Sequence, residues 1–211
     1  MIGALVPVKA LAGSKSRLAD AGRAQVEALS LAMMGDVLEA LLAVPALDRV
    51  AVVTPDAAVA DAARAVGAEA LLRDDPGLNA SIDAGGAIIA PGSDDALLVV
   101  LGDVAAASSG EIAELVGCLD GPGVALAPSR DGGTSALLRR PRDVVPSCFG
   151  ADSAKRHREA AERAGVACVE RCLPSLAIDV DVAEDARAIL ECPTLGRRTR
   201  EALARMQEEA P

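Results

Sequence analysis

Apolar and polar residues follow two rhythms along this chain. Short unbroken apolar runs read as buried strands, and stretches with apolar residues every three or four positions read as helices. "IGALVPV" (2–8), "RVAVVT" (49–54), "AEALLR" (68–73) and "DALLVVLGD" (95–103) are the predicted strands of the first half. The spacing predicts helices over 24–43, over "DAAVADAARAVG" (56–67) and over "ASIDAGGAIIA" (80–90), the last weakened by Gly85 and Gly86. "SSGEIAELVGCL" (108–119) is a further helix, with Ser108 or Ser109 as its N-cap.

The second half changes pace. "GVALAPS", "SALLRR" and "ACVERC" are strands with fewer helices between them. "ADSAKRHREAAERAG" (151–165) is a helix ended by Gly165, "AEDARAILEC" (183–192) is another, and 198–209 is a charged helix with no apolar face wide enough for the core. Strand–helix alternation followed by consecutive strands predicts an α/β fold: a mostly parallel, mixed sheet flanked by helices. Ligands of such sheets bind beyond the carboxyl ends of the strands. That rule gathers four polar loops at one edge: "GSKSRL", "GD" (102–103), "SRDGGTS" and "AIDVD".

Composition narrows the chemistry. The chain has 211 residues, suiting one domain over 1–211 with a core at about 2–192. It has one Phe and no Trp or Tyr, so the core is small and aliphatic and base-stacking platforms are excluded. A net charge of −10 argues against nucleic acid, which needs a broad basic face. Five cysteines without metal-ligand spacing read as free thiols of a reducing compartment. With no signal peptide and no apolar run of the ~20 residues that span a bilayer, the expected location is the cytoplasm, away from membranes.

Against that acidity, Lys9, Lys15 and Arg17 cluster just after the first strand, and the chain has only three lysines. Gly13 and Ser14 let a backbone approach phosphate there, and the cations supply charge. Neither a Walker A motif nor GxGxxG is present. Asp103 ends the central strand, where a carboxylate needs a cation; Mg²⁺ takes one or two carboxylates plus substrate phosphates. Asp179 and Asp181 alternate onto one side of a strand and offer a second ligand; the rival reading is caps and turns. Thr134 and Ser135 follow two glycines and either hold an anion or close a hairpin. Gly150 and Ser153 open a helix whose amides attract anions. Asn79 either caps a helix or meets a purine edge.

Together "VPVKALAGSKSRLA", "PGLNASI", "VVLGD", "APSRDGGTSALL", "FGADSAKRH" and "AIDVDVAED" resemble, in order, the 2-phospho-L-lactate / phosphoenolpyruvate guanylyltransferases of deazaflavin coenzyme (F-420) biosynthesis, over about 2–192. The resemblance implies a nucleotidyltransferase (Rossmann-like) fold. It implies transfer of GMP from GTP, with Mg²⁺, to phosphoenolpyruvate or 2-phospho-L-lactate, releasing pyrophosphate. It places Lys15 and Arg17 at the triphosphate with Lys9 assisting, and Asp103 at the metal with Asp179 or Asp181. Thr134, Ser135, Gly150 and Ser153 would hold the acid, and Asn79 would lie near guanine or ribose. A homodimer is one assembly open to it. Three segments depart from the family pattern: Val104-Ala105 replaces Leu-Pro, Ser135 replaces Asn or Thr, and Val182-Ala183 replaces Thr-Pro. The alternatives are a molybdenum-cofactor guanylyltransferase, a sugar-phosphate nucleotidyltransferase, or a non-catalytic GTP-binding protein of the same fold.

Overall fold

The computed structural model describes residues 1–13, 22–178, 185 and 189–208. A seven-stranded sheet forms its centre. In chain order the strands are β1 (Ile2–Pro7), β2 (Arg49–Thr54), β3 (Glu69–Leu72), β4 (Ala96–Val100), β5 (Gly123–Pro128), β6 (Thr134–Arg140) and β7 (Ala167–Glu170). Their spatial order is β3-β2-β1-β4-β6-β5-β7. Only β6 runs against its neighbours: β4 and β5 both pair with it antiparallel, and the other pairs are parallel. The described helices are α1 (Arg23–Leu42), α2 (Ala57–Ala65), α3 (Leu78–Ile89), α4 (Ser109–Val116), α5 (Ser153–Ala164) and α6 (Arg197–Glu208).

Alternation along each strand divides the core in two. Ala4, Val6, Leu98, Val100, Ala136 and Leu138 meet Val37 and Leu38 of α1, Val59 of α2 and Ile112 of α4. Leu5, Val53, Leu97, Val99, Leu126 and Leu137 face α3 and α5 on the other side. Each fully buried Leu or Val contributes about 1.5–3 kcal/mol, so small aliphatics in number substitute for aromatics. The glycines that weaken α3 as a helix are required by its packing. An ideal Cβ on Gly86 would lie 2.5 Å from Leu97 Cδ2, and Leu97 is fully buried with nowhere to move.

The tail departs from its expected role. Helix α6 does have a core face, narrow but sufficient: Thr199, Ala202 and Leu203 are buried, and Ala202 and Leu203 share a cluster with Leu29 and Met33 of α1. Polar anchoring supplements that narrow stripe. Asp36, buried on α1, accepts from the Arg198 amide (3.2 Å) and the Thr199 amide (2.8 Å), capping α6 from a distant helix. Asp36→Ala leaves both amides without that partner. It should cost about 1–3 kcal/mol in a thermal or urea melt.

Candidate active site

The strand order reverses between β1 and β4, which makes the carboxyl ends of these two strands the crevice of the sheet. Leu5 lies opposite Val99, so the chain leaves both strands at the same level. Lys9 and Asp103 follow just beyond. The approach there is close: a Cβ on Gly102 would stand 3.2 Å from Val8 Cγ2. Lys9 is exposed and lines a hollow with Thr54, Asp74, Asp75 and Ser81. A cleft of ≈ 430 Å³ shares Val53, Asp74 and Ser81 with it.

The 3₁₀ turn Leu11–Gly13 is the last described part of the chain before Lys15 and Arg17. Its Leu11 amide donates to Asp56 Oδ2 (3.0 Å), and that bond is the main cause holding the Asp56 carboxyl below its usual range. Ser14, Lys15, Arg17, Asp179 and Asp181 lie outside the described residues. The chain before Asp179 is placed: Arg130 donates its amide to Ala177 O (3.1 Å), and Ile178 shares a cluster with Ala105 and Ala106, which follow Asp103. "AIDVD" is therefore entered between the Asp103 loop and the "SRDGGTS" loop.

A fault in strand pairing builds the second half of the site. Ala127 pairs with Ala136, but Pro128 pairs with Thr134, leaving Ser135 as an extra residue on β6. Strict alternation would send Thr134 to the α1 face; the bulge turns it toward α5 instead. There Thr134 Oγ1 is 3.1 Å from His157 Nδ1 and accepts from Ser153 Oγ at 3.0 Å. Cys148 donates its amide to His157 Nε2 (3.0 Å), and Phe149 meets the imidazole edge-on at 5.0 Å. Burial, reinforced by Arg139 and Arg156, pushes His157 down to about 4, so it is neutral at pH 7. Thr134, Ser135, Ser153 and His157 are all buried, and the Ser135 hydroxyl has no partner among the described residues.

The turn 129–133 is also a true hairpin, with Ser129 donating to Gly133 O (3.1 Å) and Asp131 accepting from the Gly133 amide (2.9 Å). Gly150 stands at φ +118°, and a Cβ there would lie 3.1 Å from Arg156 Nη2, so a guanidinium borders the glycine. Helix α5 starts at Asp152, left-handed at φ 53°, without a side-chain cap. Asp152 and Ser153 therefore do not cap this helix through their side chains.

Asn79 does not take the capping role read in the sequence: the N-cap of α3 is Gly77. Its carboxamide grips the Phe149 backbone, accepting from the amide (2.8 Å) and donating to the carbonyl (3.2 Å). It joins α3 to the 148–150 loop. Sequence reasoning missed His157 as a hub, Arg156 beside Gly150, and Asp74 and Asp75 on the cleft. The doubled aspartate in "RDDPG" after a strand was the available signal for the last two.

Among the described residues no group of three or more His, Cys, Asp or Glu could enclose a metal, and no helix is long and apolar enough to cross a membrane. A magnesium ion that borrows phosphate oxygens needs fewer protein ligands, and the hard oxygens of Asp103 suit it.

A family model described as "Guanylyl transferase CofC like" matches residues 2–207. The chain belongs to this family. A phosphoenolpyruvate guanylyltransferase of Sphaerobacter thermophilus is 40% identical over 185 residues, covering 86% of this chain and 89% of that protein. One from Mycolicibacterium vanbaalenii is 36% identical over 213 residues, covering 98% and 97%. Among solved structures, a nucleotidyl transferase from Methanothermobacter superposes with TM-score 0.67 at 23% identity, covering 97% of this chain and 98% of that one. A 4-diphosphocytidyl-2C-methyl-D-erythritol synthase from Anaerococcus prevotii gives 0.61 at 13%, covering 88% and 94%. The guanylyl transferase thus has the nucleotidyltransferase fold, with a mixed sheet flanked by helices, and is an enzyme of nucleotidyl transfer.

Proposed function

We propose that this guanylyl transferase joins GMP from GTP to a small phosphorylated acid, phosphoenolpyruvate or 2-phospho-L-lactate, and releases pyrophosphate, as a cytoplasmic step of deazaflavin coenzyme biosynthesis. The observation that carries the reading is the hydroxyl cradle of Thr134, Ser135 and Ser153 at the start of α5, one strand from Asp103. Hydroxyls and Arg156 suit an acid bearing both phosphate and carboxylate. The names of the curated relatives favour phosphoenolpyruvate as that acid.

The nucleoside occupies the cleft at Asp74, Asp75 and Ser81, whose carboxylates accept from the donor edge of guanine. Lys9, Lys15 and Arg17 neutralise the triphosphate. A phosphate monoester has its second pKa near ~6, so the acceptor arrives as an anionic nucleophile and no general base is needed. One of its oxygens attacks the α-phosphorus, the new phosphoanhydride forms, and the bond to the β-phosphate oxygen breaks as pyrophosphate leaves in line. The protein contributes position and charge neutralisation. Asp103, with Asp179 or Asp181, would hold the Mg²⁺ that stabilises developing phosphate charge.

The test mixes each of four nucleoside triphosphates with phosphoenolpyruvate, 2-phospho-L-lactate, 3-phosphoglycerate and a sugar phosphate. Pyrophosphate release and product mass are read together. GTP with one of the three-carbon acids is expected to react. Turnover confined to CTP or to the sugar phosphate would refute the reading.

A further inference from the structure

We propose that His157 is a positioning residue that forces the Thr134 hydroxyl to point its proton out of the network, toward the anion of the acceptor acid. The proposal rests on the guanylyl-transfer reading of the site. A backbone amide can only donate, so Cys148 fixes Nε2 of His157 as the acceptor. The neutral ring then carries its proton on Nδ1 and donates to Thr134 Oγ1. Ser153 Oγ donates to the same oxygen. A hydroxyl has two acceptor positions and one proton. Both acceptor positions of Thr134 are filled, so donating outward is its remaining capacity.

Ser135, the extra residue of the bulge, supplies a second buried hydroxyl with no partner among the described residues. The two adjacent hydroxyls therefore present protons to a carboxylate or phosphate oxygen, with Ser153 committed to Thr134. The same imidazole ties in the 148–150 loop through Cys148, and Asn79 holds that loop at Phe149 from the nucleotide side. The direction of a chain of hydrogen bonds, set by one amide, thus decides what the site can bind.

His157 is the only histidine, so nitrogen NMR of histidine-labelled protein reports a single imidazole. At pH 7 the expected state is neutral with the proton on Nδ1; a proton on Nε2, or an imidazolium, overturns the proposal. Three variants complete the test. His157→Phe keeps the ring and loses both bonds; it should raise KM for the acceptor at least ~10-fold while KM for GTP moves less than ~3-fold. His157→Asn keeps a donor near Nδ1 and should recover most of that loss, whereas His157→Gln keeps an acceptor near Nε2 and should not. Equal behaviour of Asn and Gln, or a GTP KM rising in step with the acceptor KM, sinks it. A wild type that consumes no phosphorylated acid defeats the guanylyl-transfer reading instead, and the NMR state still decides the polarity.

Discussion

Asp103→Asn is expected to lower turnover at least ~100-fold while leaving circular dichroism and the melting temperature unchanged. The substitution preserves shape and removes one negative charge. That charge sits just beyond the end of β4, level with the chain leaving β1 toward Lys9, so under the proposed function a metal held there would reach the phosphates that Lys9 neutralises. Metal stabilisation of phosphoryl transfer is worth several kcal/mol, and each 1.36 kcal/mol is about tenfold in rate. Chelation of the wild type should abolish activity and added Mg²⁺ restore it; Asp103→Asn should need far more Mg²⁺ for whatever rate remains. Wild-type turnover in the variant, at the wild-type Mg²⁺ requirement, would remove Asp103 from the metal site.

The second large effect concerns acid. The unfolded chain protonates its histidine near the ordinary value of 6.5, whereas buried His157 resists protonation down to about 4. Between those values the unfolded state binds more protons, so stability falls as pH falls. The loss amounts to about 3 kcal/mol once pH has passed below the folded value. Arg139 on β6 and Arg156 on α5 add repulsion that an imidazolium would meet there. Urea unfolding of the wild type and His157→Phe at steps from pH 7 to pH 4 isolates this contribution, since carboxylates common to both cancel. The wild type should lose stability faster than the variant through that window. Parallel curves would show that the buried imidazole is not held neutral.

Much of the sheet could be read from apolar runs. "RVAVVT" coincides with β2, and the alternation across Leu97–Val100 sorts residues onto two faces. The helical period of 24–43 likewise located α1 to within a residue. What escaped depended on long-range partners. Gly85 and Gly86 argue against a helix by local propensity, and only the pressure of Leu5 and Leu97 explains them. The anchoring of α6 by Asp36 joins positions 162 and 163 residues apart, which no local pattern encodes. In the site, Thr134 and Ser153 were expected at one place, and their hydroxyls do meet at 3.0 Å. His157 was not expected there, because a lone helical histidine looks alike whether it is exposed or central to a network. Asn79 misled for a related reason: an Asn near a helix start suits a cap, and its true partner is 70 residues away.

The irregular pairing at Ser135 carries a consequence for any change of length in the β5–β6 turn. Excising Ser135 would make the ladder continuous and would leave Thr134 opposite Pro128 on the α5 side, removing only the extra hydroxyl. The bulge absorbs one residue of length, so a chain without Ser135 should keep the Thr134 contacts to Ser153 and His157.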